Sequence, residues 1–328
     1  MSEVPSALHV NDAAFTAERL VRRAKERGYA WDFLPRAFSE PSWVGWSGHM
    51  RRTLTGAAWA SRLAVEARRH AIVHVHSATT LPHTRALARR YVLHCHGSDV
   101  RTAQYEPGRG KDIRAGIRAA EAVFYSTPDL AQHVLPWRPD AILLPVPVDV
   151  ADLPRWQPES RRPRVVFASR WEPVKGLGMQ LETARLITAA LGDSADVVGL
   201  DWGPGAPAAA ASGVRLVPRM EHASFLRLLA GATVVVGQAA GILSSSELEA
   251  LGSGAPLVVP APLVPADGSA PPVLGGDPAT AADAASALVQ GEVVHEPDAG
   301  RSWVESEHGV QRAVDVVATV YHRVVAAR

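Results

Sequence analysis

The chain has 328 residues, a formal net charge of +1, 47% hydrophobic residues and a single cysteine, Cys95. That length suits one large or two medium domains with a sizeable core. The near-neutral charge removes any global case for nucleic acid or an anionic membrane, one cysteine excludes an internal disulfide, and no apolar run reaches the ~18–20 residues of a membrane span.

The N-terminus carries no signal-peptide pattern, so the expectation is a soluble, cytoplasmic protein. In chain order, Ala7–Val10 reads as a strand and Asn11-Asp12-Ala13-Ala14 as a turn into a helix over Phe15–Glu26, ended by Gly28. Ala30–Leu34 is a second strand, Pro35–Met50 is irregular, Thr55–His70 is helical, and Ala71–Val75 is a strand running out at His76. Leu81–Arg90 reads as helix and Tyr91–Cys95 as a strand that ends at His96-Gly97-Ser98-Asp99. A helix to Glu121 follows, then strands over Ala122–Tyr125 and Ala141–Leu144.

Asp149–Pro163 sets Pro154, Pro158 and Pro163 among charges without apolar periodicity, and reads as an interdomain linker. Beyond it a second alternating series runs through Arg164–Ala168, Leu177–Leu191, Asp196–Leu200, Val214–Val217, His222–Ala230, Ala232–Gly237, Ser245–Gly252 and Leu257–Val259. Ala206–Ser212 is a loop or short helix, Pro260–Pro278 is rich in proline and glycine, and Ala279–Gln290 and Ser302–Arg328 close the chain as helices. This alternation predicts an α/β protein of two Rossmann-like halves, each a parallel sheet with helices on both faces.

Two stretches carry chemistry. Ser169-Arg170-Trp171-Glu172-Pro173-Val174-Lys175-Gly176 joins a buried strand to a helix and sets a guanidinium and an ammonium, both suited to phosphate, on a strand-to-helix loop. Gly241-Ile242-Leu243-Ser244-Ser245-Ser246 then leads into Glu247-Leu248-Glu249-Ala250-Leu251-Gly252-Ser253-Gly254-Ala255-Pro256. In order and spacing the two stretches resemble the donor-binding half of the retaining family-four glycosyltransferases, which have the glycosyltransferase-B fold.

The resemblance implies two Rossmann-like domains facing a cleft. Residues 1–150 would be the acceptor side, 151–304 would bind a nucleotide-sugar, and a last helix, about 305–328, would pack back on the first domain. Arg170 and Lys175 would neutralise the donor diphosphate, and Glu249 would accept from the donor ribose. Glu247, two residues earlier on the same helix, reads as a solvated residue. The family's first glutamate falls on Gly241, a departure that leaves Ser244, Ser245 and the helix N-terminus for the diphosphate or sugar. His96, with Gly97 and Asp99, matches the family's His-Gly-x-Asp and would face the donor sugar. Asn11, Asp12 and His76 stand on the acceptor side, where Asn11 or Asp12 serves equally well as a helix cap.

His74, His76, His94 and His96 recur at spacing two. His74 and His76 share one face of a single strand, however, and the cysteines and carboxylates of a strong zinc pattern are missing, so neither a metal nor a cofactor is expected. The expected partners are a nucleoside-diphosphate sugar and a small-molecule or glycan acceptor. Nucleic acid is not among them, and peripheral membrane contact is left open. The main competing function is a degenerate donor-binding or scaffolding relative, favoured by Gly241. A nicotinamide oxidoreductase ranks low because no Gly-x-Gly-x-x-Gly follows the first strand.

Overall fold

The computed structural model describes residues 3–327 except 38, 41, 89, 159–161, 266 and 267. Residues 159–161 of the expected linker therefore lie outside the described residues, as do single positions in the stretches 81–90 and 302–328 and two each in 35–50 and 260–278. Two compact units emerge, Met1–Pro147 with Val310–Arg328, and Val148–Gly309.

The first unit runs β1 (Ala7–Val10), α1 (Thr16–Glu26), β2 (Trp31–Leu34), α2 (Gly45–Arg69), β3 (Ile72–His76), α3 (Leu81–Thr84), β4 (Val92–Cys95), α4 (Ser98–Arg101), α5 (Arg109–Ala119), β5 (Ala122–Tyr125), α6 (Ala131–Val134) and β6 (Ile142–Leu143). Its strands form one sheet in the order β2-β1-β3-β4-β5-β6, with every pair parallel. All residues of β1, β3 and β4 are buried, which is why these strands read as nearly unbroken apolar runs. One side of the sheet packs Leu8, Val10, Leu93 and Ile117, and the other packs Ala7, Leu20, Trp31, Ile72 and Phe124.

The second unit continues with β7 (Arg164–Phe167), α7 (Leu177–Leu191), β8 (Asp196–Leu200), α8 (Ala206–Ala211), β9 (Arg215–Val217), α9 (His222–Ala230), β10 (Val234–Val236), α10 (Ser245–Ser253), β11 (Leu257–Val259), β12 (Leu274–Gly275), α11 (Pro278–Gln290) and α12 (Pro297–His308). Its sheet is also all parallel, in the order β12-β11-β10-β7-β8-β9. Val165, Phe167, Trp171, Ile187, Val234 and Val258 centre its core. The last helix, α13 (Val310–Ala326), belongs to the first unit, where Val314, Val317 and Tyr321 pack with Trp31 and Phe124.

Four elements depart from the sequence expectation. Helix α2 begins at Gly45, inside the stretch expected to be irregular; only Gly48 and Leu63 of it are buried, so its start has no apolar stripe to read. Within Leu81–Arg90 the α-helix extends only over Leu81–Thr84. The two-residue strand β12 lies in the proline- and glycine-rich stretch and is exposed, so only its pairing with β11 reveals it. The single closing helix is two. It breaks at Gly309, where a side chain's Cβ would stand 2.3 Å from the Glu305 carbonyl oxygen. Val148 bridges to Gly309 there, and its N–H donates to the His308 carbonyl at 2.8 Å.

Candidate functional site

In the second sheet the chain leaves β7 towards β8 and β9, then returns to the other side of β7 through β10. In open α/β sheets, ligands bind outside the carboxyl ends of the strands at such a reversal. Both sequence stretches end there. The turn after β7 is anchored by Trp171, which is fully buried and whose Nε1 donates to the Leu200 carbonyl at 3.0 Å. Its backbone pairs with Trp202 and Gly205. Trp171 thereby holds Arg170 at the edge, in an ion pair with Glu172 at 3.1 Å and with its guanidinium carbon 5.2 Å from the Trp202 ring centre. Arg219 lies on the same ring at 4.3 Å.

Lys175 ends a 3-10 turn over Pro173–Lys175 and is half-buried. Its carbonyl accepts from the Ala239 N–H at 3.0 Å, which joins the turn after β7 to the turn after β10. Gly176 makes this join possible: its φ is +73°, and an added Cβ would sit 2.6 Å from both the Ala239 Cβ and carbonyl oxygen. Helix α7 starts directly after Gly176 with no side-chain cap, so its first N–H groups face the same turn.

The turn after β10 is organised by Glu247, and this corrects the expectation of a solvated residue. Glu247 is fully buried. Its Oε1 accepts from the Gln238 N–H at 3.0 Å, and its Oε2 accepts from the Ser244 N–H at 2.9 Å and from the Ser244 hydroxyl. With Ser244 it forms a capping box, a pattern legible as Ser244-x-x-Glu247. Ser245 opens α10 behind it. Gln238 is buried with its Nε2 donating to the Ile242 carbonyl, while its Oε1 has no partner among the described residues. Gly241 has φ +72°, a conformation that disfavours a glutamate there whatever the space. Glu249 is 2% exposed and pairs through Oε1 with His222 Nε2 at 3.0 Å.

In the first sheet the reversal falls between β1 and β3. Asn11 follows β1 at φ +65°, and its Nδ2 donates to the His76 carbonyl at 2.7 Å and to the Thr80 hydroxyl at 3.1 Å. Asp12 caps α1 through the Ala17 N–H at 2.9 Å, and burial pushes its carboxyl above the ordinary range despite that bond. A cavity of about 1120 Å3 opens beside Asn11, lined also by Arg36, Arg52, Trp59, Thr80, His83 and Arg109.

The His96–Asp99 turn lies one strand further along. Asp99 is 1% exposed, and its carboxylate accepts from the N–H groups of Ala78, His96, Gly97 and Val100. It holds the turn and has no free face. Gly97 takes φ +138°. Both ring nitrogens of His96 are engaged, Nε2 with His76 Nδ1 at 3.1 Å and Nδ1 with Ser126 Oγ at 3.0 Å. Burial lowers its pKa to about 4, although Asp99 opposes the shift.

Similarity to solved structures is extensive in shape and slight in sequence. HepE from Anabaena, solved with UDP and glucose, matches with a TM-score of 0.66 at 11% identity, over 97% of this chain and 100% of that one. AviGT4, a glycosyltransferase of avilamycin A biosynthesis, matches at 0.63 and 19% identity over 99% of each chain. The lipopolysaccharide outer core galactosyltransferase WaaB matches at 0.58 and 11% over 98% and 99%. The chain has the glycosyltransferase-B fold. No family model and no curated protein matches it. Among the described residues, no helix is long and apolar enough to cross a membrane.

Proposed function

We propose that the chain is a retaining glycosyltransferase that moves a sugar from a nucleoside-diphosphate donor to an acceptor hydroxyl without a divalent metal. The carrying observation is the join of the Arg170–Gly176 and Gln238–Ser244 turns at the reversal of the second sheet. The turn carries two cationic residues, Arg170 and Lys175, ahead of the uncapped N-terminus of α7, and a diphosphate suits that combination. Negative charge grows on the leaving phosphate as the bond to the sugar breaks, and Arg170 and Lys175 stabilise it most at that point. Donor binding exchanges the Glu172 partner of Arg170 for phosphate oxygens. Glu249, oriented by His222, takes the ribose hydroxyls; Ser244, whose N–H and hydroxyl both donate to Glu247, holds the turn, and Ser245 at the start of α10 faces the remaining donor oxygens.

The acceptor occupies the cavity beside Asn11 in the first unit, with Asp12 and His76 at the same strand edge. Attack comes on the face from which the phosphate leaves, and the phosphate takes the acceptor's proton. No protein base is needed, unlike the paired carboxylates of glycosidases. Arg170→Ala and Lys175→Ala are each expected to lower turnover by about 10²–10³, more than they weaken donor binding, and EDTA is expected to leave turnover unchanged. Normal turnover in both variants, or loss of activity with EDTA, refutes the assignment. A second function, a donor-binding protein without turnover, is favoured by Gly241, whose left-handed backbone stands where the family has a glutamate. Donor binding with neither hydrolysis nor transfer across acceptors identifies that case.

A further inference from the structure

The first unit carries a layer of histidines of which only His76 borders the proposed acceptor edge. His9 on β1 pairs in register with His74 on β3, and His76 pairs with His94 on β4. Side chains two apart on a strand share a face. His9, His74, His76, His94 and the ring of His96 therefore form one layer, beside Trp31, Phe124 and Tyr321. The first four are fully buried and His96 is partly exposed. A neutral imidazole has one donor and one acceptor nitrogen, and buried ones need partners.

They find most of them in one another. His9 Nδ1 lies 3.0 Å from His76 Nε2, and Tyr321 OH lies 2.7 Å from His74 Nδ1 and 3.1 Å from His9 Nε2. Ser126 Oγ lies 3.1 Å from His94 Nε2 and 3.0 Å from His96 Nδ1. Among the described residues, His74 Nε2 has no hydrogen-bond partner, and His94 Nδ1 has none within ordinary geometry, although His94 lies against the Leu144 backbone.

We propose that His76, His94 and His96 bind one divalent transition-metal ion of the zinc, nickel and copper class. One ring nitrogen of each lies within 4.8 Å of the other two. A tetrahedral ion with bonds of roughly 2.0–2.1 Å sets its ligand nitrogens about 3.3 Å apart. His76 Nδ1 and His96 Nε2 already stand 3.1 Å apart, and side-chain rotation brings in the third ring. The opposite nitrogens of these two rings are held from behind, His76 Nε2 by His9 and His96 Nδ1 by Ser126, the outer support that orients metal-binding imidazoles. An all-imidazole donor set favours zinc, copper and nickel over magnesium or calcium.

The proton count closes without loss. The ion replaces the hydrogen bond between His76 and His96, and each ring keeps its one proton, on Nε2 of His76 towards His9 and on Nδ1 of His96 towards Ser126. Partly exposed His96 supplies the route in. A neighbouring triad, His9, His74 and His76, shares His76 but is wholly buried, and it serves as support. The spacing in sequence argued against a metal because it compared histidines along one strand. The sheet register adds His9 and sets β3 beside β4.

The site shares His76 with the proposed acceptor edge, but its test reads metal binding and not transfer, so failure of one is distinguishable from failure of the other. The full chain, stripped with chelator, is titrated with ZnCl2 and NiCl2 by calorimetry, with MgCl2 as the control. One ion per chain is expected for zinc and nickel and none for magnesium. His96→Gln, at the partly exposed edge, should weaken zinc binding at least 100-fold, and Ser126→Ala should weaken it about 10–100-fold. Circular dichroism first establishes that each variant is folded. X-ray absorption of the zinc-loaded chain should show three nitrogen ligands near 2.0–2.1 Å. No zinc uptake in the micromolar range, uptake unchanged by His96→Gln, or a ligand shell without imidazole overturns the proposal.

Discussion

The first sheet reverses its strand order between β1 and β3 and the second between β7 and β10, so both present a ligand edge, yet the two edges are built from opposite materials. At the second, each turn that needs a left-handed residue has a glycine: Gly176 after β7, Gly203 after β8 and Gly241 after β10, at φ +73°, +107° and +72°. At the first, Gly97 after β4 does the same at +138°, but the turns on either side of the reversal use Asn11, Ala14 and Phe15 after β1 and Ser77 after β3, the only non-glycine residues with positive φ among those described. A side chain in that region costs of order 1–3 kcal/mol and persists where the surroundings over-determine it. Asn11, tied to His76 and Thr80, shows how that is done here. The turns at the reversal of the second edge are relaxed and readable by their glycines, whereas those after β1 and β3 are strained and carry no such signature.

The difference can be broken from either side. The largest stability effect is expected at Gly176→Ala, where a Cβ collides with Ala239 and the left-handed backbone becomes strained. Overpacking and strain together should cost about 2–4 kcal/mol, read by urea unfolding, with loss of nucleoside-diphosphate binding if Lys175 moves away from the turn after β10. Glu247→Ala comes next. It leaves the buried Gln238 N–H without its acceptor and removes the capping box, for about 2–3 kcal/mol, whereas Glu249→Ala should affect donor affinity more than the unfolding midpoint.

Gly241→Glu places a carboxylate at this turn and tests whether the residue type or the backbone governs the edge. A loss of about 1–2 kcal/mol with no gain in turnover is expected; a rise in turnover would show that the backbone adapts. The smallest effect runs the other way. Ala14→Gly relieves a φ of +56° and should stabilise the chain by a few tenths to about 1 kcal/mol, the relief exceeding the added freedom of the unfolded chain. Destabilisation by Ala14→Gly would mean that the first edge is not strained.

Much of the architecture was legible because it rests on local patterns. The strands Ala7–Val10, Asp196–Leu200 and Leu257–Val259 and the helices Leu177–Leu191 and His222–Ala230 appear with the bounds their apolar runs suggest. Strand β12 and the start of α2 were not legible, since one is a pairing partner without apolar content and the other is a helix almost without a buried face. At the candidate site the cations Arg170 and Lys175 announce themselves by type and spacing. Glu247 reads as solvated from the sequence because a carboxylate near a helix start gives no sign of the buried N–H groups it satisfies. His9 was passed over because nothing in its own strand marks it.

The sequence by itself determined the alternation of strands and helices and the residue types at the second edge, both of which depend on neighbours within a few positions. Only the tertiary structure decided the strand order that puts β10 beside β7, the join of Lys175 to Ala239, and the register that stacks five histidines from three successive parts of one sheet. Those features depend on residues from 18 positions apart, as in the His76–His94 pair, to 69, as in the Val165–Val234 pair, and no local period encodes a partner at that separation.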